Sequence, residues 1–87
     1  MYTKEQFINA SKFINSQDYK ERFIAEYIQL KYRYERLQNM IENWDNGTLP
    51  FKPTCHRNIY NYQIKAMKEY LDVLEIRAQI ENVNLHA

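Results

Sequence analysis

Eight side chains between positions 19 and 36 have the types to meet a ligand. Tyr19, Lys20, Arg22, Lys31, Tyr32, Arg33, Tyr34 and Arg36 interleave aromatic rings with cations. Aromatic faces stack on nucleobases, at roughly 1–3 kcal/mol per base. The guanidinium fork and the compact ammonium both pair with phosphate. Such a set supports recognition of a planar, anionic ligand. Tyrosine also packs cores and arginine also solvates helices, so the same composition fits a plain helical surface. Cys55-His56 is the other reactive-looking pair. Adjacent residues rarely converge on one substrate, there is no second cysteine, and the only other histidine is His86. The pair therefore reads as loop residues beside a helix start. The carboxylates, among them Glu21, Glu26, Glu35, Glu69 and Glu75, are scattered along charged helix faces. No glycine-rich phosphate loop, Walker pattern or Ser-His-Asp arrangement occurs. No catalytic residue, metal ligand or cofactor is assigned.

The totals narrow the class of ligand. The chain has 87 residues, 12 basic against 11 acidic, and a net charge of +1. That balance argues against a protein that coats a nucleic acid polymer, which normally carries a basic excess. A small anion needs only a few well-placed cations. At this length the chain holds one domain with a modest core of its own, and partner chains are one common remedy. A lone cysteine allows no internal disulfide and fits a reducing compartment. The first residues carry no apolar signal core, and no run approaches the length that crosses a bilayer. The expectation is a cytoplasmic protein with no membrane partner.

The elements that must position these side chains are legible in the breakers. The single glycine and both prolines fall between residues 47 and 53. The expected architecture is all-α: a short N-terminal helix followed by a long antiparallel helical hairpin, oligomeric. One helical domain spans 1–87, with the N-terminal helix in 1–15, a long helix over 18–45, a loop over 46–57 and a second long helix over 58–84. Tyr19, Phe23, Tyr27, Leu30, Tyr34, Leu37, Ile41 and Trp44 recur three and four apart, as do Tyr60, Ile64, Met67, Leu71, Leu74 and Ala78. Two such stripes joined by a short loop pack antiparallel at a shallow angle. Thr3 with Gln6 makes a capping box for the first helix. Ser16 and Asp18 start the second, Asn46-Gly47 stops it, and Thr54 or Asn58 caps the third. Leu49 and Phe51, between the prolines, are expected to tuck onto the hairpin end. Ile24 and Ile28, with Tyr70, Val73, Ile76 and Ile80, lie off the stripes. One hairpin cannot bury both sides, so further copies are expected to cover the second face. The short first helix is free to fold back on its own hairpin or on a neighbour.

Two blocks of residues carry a resemblance. They are Tyr19 to Glu26 (YKERFIAE), and Leu49 to Cys55 (LPFKPTC) with Gln63 to Leu71 (QIKAMKEYL) and Leu74 to Ala78 (LEIRA). Over about residues 19–85 the chain resembles a family of small helical-hairpin phage proteins, and as a whole it is similar to the T-even phage form of the anti-CBASS sponges. The resemblance implies a compact hexamer acting in the cytoplasm of the bacterial host. It implies sequestration of cyclic oligonucleotide second messengers such as 3′,3′-cGAMP. Cyclic dinucleotide sites would lie between paired protomers, and cyclic trinucleotide sites would be separate. By that likeness Tyr19 stacks on a base, with Phe13 as its alternative, and Lys31 reaches phosphate. Arg77, in the Arg77-Ala78 step, serves the trinucleotide. Arg22 joins the dinucleotide set by its nearness to Tyr19. A nearly two-fold ligand suits a two-fold interface, because every contact is then made twice. Sequestration needs no catalytic group.

Two other readings compete. A helical module that binds and inhibits a host protein would use the second apolar face as its interface. A small phosphodiesterase would need a cluster of metal ligands that the sequence does not offer.

Overall fold

The structure, a computed structural model, describes residues 1–86. Three helices follow in order: α1 (Lys4–Ser11), α2 (Tyr19–Asp45) and α3 (Arg57–Glu81), with no strand among the described residues. The all-α architecture is the one expected, a short helix ahead of a long hairpin.

The ends of the helices are set by local chemistry. At α1 the Gln6 amide donates to Thr3 Oγ1 at 3.1 Å and the Thr3 amide to Gln6 Oε1 at 2.8 Å, closing the capping box. This helix stops at Ser11, short of the expected 15. The amides of Lys12, Phe13 and Ser16 donate to the carbonyls three positions back, which tightens the chain into turns. Asp18 then caps α2, accepting from the Lys20 amide at 2.9 Å. At the other end Gly47 adopts φ +73°. Its amide donates to Trp44 O and that of Thr48 to Asn43 O, the paired bonds of a Schellman stop. His56, not Thr54 or Asn58, caps α3: its Nδ1 accepts from the Asn58 amide at 3.2 Å. An imidazole nitrogen does here what a hydroxyl or carboxylate usually does. Arg57 donates through Nε and Nη2 to both oxygens of Asp45, each at 3.0 Å, and so ties the two ends of the loop.

The third helix ends at Glu81 rather than 84. Asn82 enters the left-handed region at φ 59°, which asparagine tolerates better than most residues. The Val83 amide then donates to Ala78 O at 2.8 Å. This turn drives Val83 and Leu85 into the core beside Phe23, Tyr27, Tyr34, Leu71, Leu74 and Ala78. Both stripes therefore face each other as expected, but the core also takes a tail from beyond the end of the stripe at Ala78. Tyr2 donates to Leu85 O at 3.3 Å and meets Tyr27 edge-on, so the two chain termini close over one end.

The first helix folds back on its own hairpin. Phe7 stacks on Tyr32 with centroids 4.5 Å apart, Gln29 donates to Phe7 O at 2.9 Å, and Ala10 is buried. In the loop, Leu49 is half-buried but Phe51 is 56% exposed, contrary to expectation. Both line the groove between the loop and the helices, but only Leu49 is largely covered. The outer face of α3 keeps Tyr70, Val73, Ile76 and Ile80 in solvent. The radius of gyration is 14.8 Å and the body measures 43 × 24 × 19 Å. A compact chain of this length would have a radius of about 12 Å. The molecule is a rod with one apolar flank uncovered.

Candidate functional site

The antiparallel register brings the first turn of α2 against the last turn of α3. Tyr19 opens α2 and stays 45% exposed. Its hydroxyl donates to Glu81 Oε1 at 2.5 Å and accepts from Arg77 Nη2 at 2.7 Å. Arg77 Nε in turn donates to Glu81 Oε2 at 3.1 Å, the pair being one helical turn apart. The Arg77 guanidinium lies over the Phe23 ring, 4.8 Å from its centroid. On the other side the Arg22 guanidinium sits 5.8 Å from the Tyr19 centroid. Arg22 Nη1 donates to Ser16 O at 2.6 Å, which anchors the fork to the turn before α2. The result is a half-exposed ring with one guanidinium against it and another bonded to its hydroxyl.

The ionisation states follow from these bonds. The hydrogen bond to Glu81, with some loss of solvent, raises the Tyr19 hydroxyl above its usual range. Donation from Tyr19 and then from Arg77 lowers the Glu81 carboxyl. The Glu81 bond holds Arg77 still more firmly protonated. At neutral pH Tyr19 is a neutral phenol between the Glu81 carboxylate and the Arg77 guanidinium. The set can stack, accept and pair.

The remaining candidates lie elsewhere. Lys31 is twelve positions further along α2, about 18 Å at 1.5 Å per residue. It is half-buried, with its ammonium 5.9 Å from the Tyr34 centroid and no ion pair among the described residues. Phe13 is 43% exposed on the turn after α1. With Ala10, Ile24, Ala25 and Ile28 it lines an apolar groove of about 320 Å³. Tyr19, Arg22 and Arg77 are thus gathered within the chain, while Lys31 and Phe13 are not gathered with them. Glu81 is the member that sequence reasoning missed. Its i,i+4 spacing from Arg77 was visible, but its bond to Tyr19 depends on the hairpin register. Cys55 and His56 are exposed, and His56 is spent on the cap. Among the described residues no three His, Cys, Asp or Glu side chains gather as a metal site, and no helix is long and apolar enough to cross a membrane.

A family model described as Sequestin matches residues 17–80, roughly three quarters of the chain. The match takes in α2, the loop and all of α3 but Glu81, and so includes Tyr19, Arg22, Lys31 and Arg77. No curated protein and no solved structure matches the chain.

Proposed function

Because the chain belongs to the Sequestin family, we propose that it binds and holds a small ligand without altering it. The ligands are cyclic di- and trinucleotide second messengers such as 3′,3′-cGAMP. Their sequestration in the cytoplasm of the bacterial host would block CBASS signalling. The observation that carries the reading is the exposed Tyr19 ring flanked by the Arg22 and Arg77 guanidiniums. A ring face takes a base and two forks take phosphate, while a near-neutral surface elsewhere avoids nucleic acid polymers.

The working form is a homo-oligomer, a hexamer by its likeness to the sponges. The flank of Tyr70, Val73, Ile76 and Ile80 supports this, since four exposed apolar side chains on one helix face call for cover. Paired protomers would bring Lys31 and Phe13 of one chain toward the Tyr19 of another, which a single protomer does not do. The Glu81 carboxylate would yield Arg77 to the ligand phosphate on binding.

Titration calorimetry with 3′,3′-cGAMP tests the reading. Micromolar or tighter binding, with unchanged ligand recovered after denaturation, is expected. Cleaved ligand would make the protein an enzyme. No binding to any cyclic oligonucleotide, with a stoichiometric host protein captured on the α3 flank, would favour the inhibitor module instead.

A further inference from the structure

A second groove lies on the far half of the hairpin, between α1, α2, the loop and α3, with a volume of about 710 Å³. That falls within the range of small-molecule sites, about 300–1,000 Å³. Its cations are Arg33 and Arg36, one turn apart on the same face of α2. No carboxylate lines it, and neither arginine forms an ion pair among the described residues. Both guanidiniums are nonetheless held in place. Arg33 lies 5.2 Å from the Phe7 centroid and Arg36 5.7 Å from that of Tyr32, whose hydroxyl accepts from Arg36 Nη1 at 3.2 Å. Those two rings are stacked on each other, so the forks rest on one aromatic step. A ring face orients a guanidinium without neutralising it, and most of its donors stay free.

The rest of the lining suits a nucleobase. Asn39, Asn43 and Gln63 bring side-chain amides, which both donate and accept. Phe51, 56% exposed on the loop, stacks on no other ring among the described residues. We infer that this groove is a nucleotide site distinct from the Tyr19 cluster. It takes a nucleoside monophosphate, with phosphate on Arg33 and Arg36, the base against Phe51, and the amides on the base edge. The separation is physical: Arg33 stands fourteen residues beyond Tyr19, about 21 Å along α2. The difference in charge is equally plain, since Arg77 already holds a carboxylate and Arg33 and Arg36 hold none.

Titration calorimetry of the full chain with AMP and GMP tests this, with adenosine and inorganic phosphate as controls. At least one monophosphate should bind at least tenfold more tightly than either control. Arg33→Gln with Arg36→Gln should weaken it at least tenfold and Phe51→Ala about fivefold, whereas Tyr19→Ala should change it less than twofold. Retained binding in the arginine variant, or adenosine binding as well as AMP, overturns the assignment, and so does the absence of monophosphate binding. Should the arginine variant not fold, the side-chain amide signals of Asn39, Asn43 and Gln63 in the unaltered protein decide. Shifts there on adding AMP or GMP support the site, and shifts confined to residues near Tyr19 overturn it.

Discussion

Tyr19 and Arg77 stand 58 positions apart in the chain and share a hydrogen bond of 2.7 Å. That bond joins the start of one long helix to the end of the other. It also ties together two residues that the sequence likeness assigns to different ligand classes. The hydroxyl of Tyr19 is engaged on both sides, by Arg77 and by Glu81, so its half-exposed ring is presented at a defined angle.

Ring and charge should separate in binding. Tyr19→Ala removes the stacking face, and affinity for 3′,3′-cGAMP should fall by about 1–3 kcal/mol, the usual worth of one stacked base. Tyr19→Phe keeps the face and should lose far less. Lys31→Glu reverses the charge offered to phosphate and should abolish dinucleotide binding. Arg77→Ala should weaken a cyclic trinucleotide more than a dinucleotide. Calorimetry on folded variants checks each; equal loss of both ligands in Arg77→Ala would refute separate sites.

Acid should loosen both ends of the hairpin. Glu81 and Asp45 are each held below their ordinary values, by Tyr19 and Arg77 in one case and Arg57 in the other. A carboxyl lowered in the folded state binds protons more readily when unfolded. Its contribution is therefore complete above the ordinary values of 4.5 and 3.8 and disappears as pH falls through the lowered ones. Melting temperature followed by circular dichroism from pH 7 to pH 3 should show the decline. Glu81→Gln should flatten part of it; an unchanged profile would mean that Glu81 contributes nothing.

Base should act through Tyr27. Burial, reinforced by the nearby Glu75 carboxylate, pushes its hydroxyl up to about 12 from the ordinary 10.0. Its stabilising effect is full below pH 10 and is lost as pH rises toward about 12, because the unfolded chain ionises first. Tyr2, Tyr19 and Tyr60 are also raised, but ultraviolet titration of the folded protein should show a phenol near 12 that is lost in Tyr27→Phe. If every tyrosine titrates near pH 10, the buried placement is wrong.

Core and flank should respond in opposite ways. Leu74 is wholly buried, and Leu74→Ala should cost about 2–5 kcal/mol of stability. Ile80 is 75% exposed. Ile76→Asp with Ile80→Asp should leave the protomer helical but reduce the solution mass measured by light scattering toward the 10.7 kDa of one chain. An unaltered chain of that mass would refute the shared-site architecture.

Much of this protein could be read from residue order. Clustering of Gly47, Pro50 and Pro53 located the loop, and the three-and-four spacing through Phe23, Tyr27, Leu71 and Leu74 named both packed faces. Thr3 with Gln6 and Asp18 marked two helix starts, since a cap depends only on neighbours a few residues away. The tail was not legible. Val83 fell inside the helix expected to run to 84 and Leu85 beyond it, and only the left-handed Asn82 turns both into the core. The loop misled in the same way, because which of Leu49 and Phe51 faces inward depends on the path between the helix ends.

The aromatic and cationic residue types proposed for ligand contact, the placement of Tyr19, Arg22, Lys31 and Arg77 on two long helices, and the uncovered apolar flank were determined by the sequence alone, because each follows from composition or from spacing within one helix. Tertiary structure decided which of them meet. A hairpin register pairs the first turn of α2 with the last of α3 and so creates the Tyr19–Arg77–Glu81 contact. Helical periodicity repeats every turn and is blind to such a register. It is set by the interlocking of side chains from both helices and by the turns that join them.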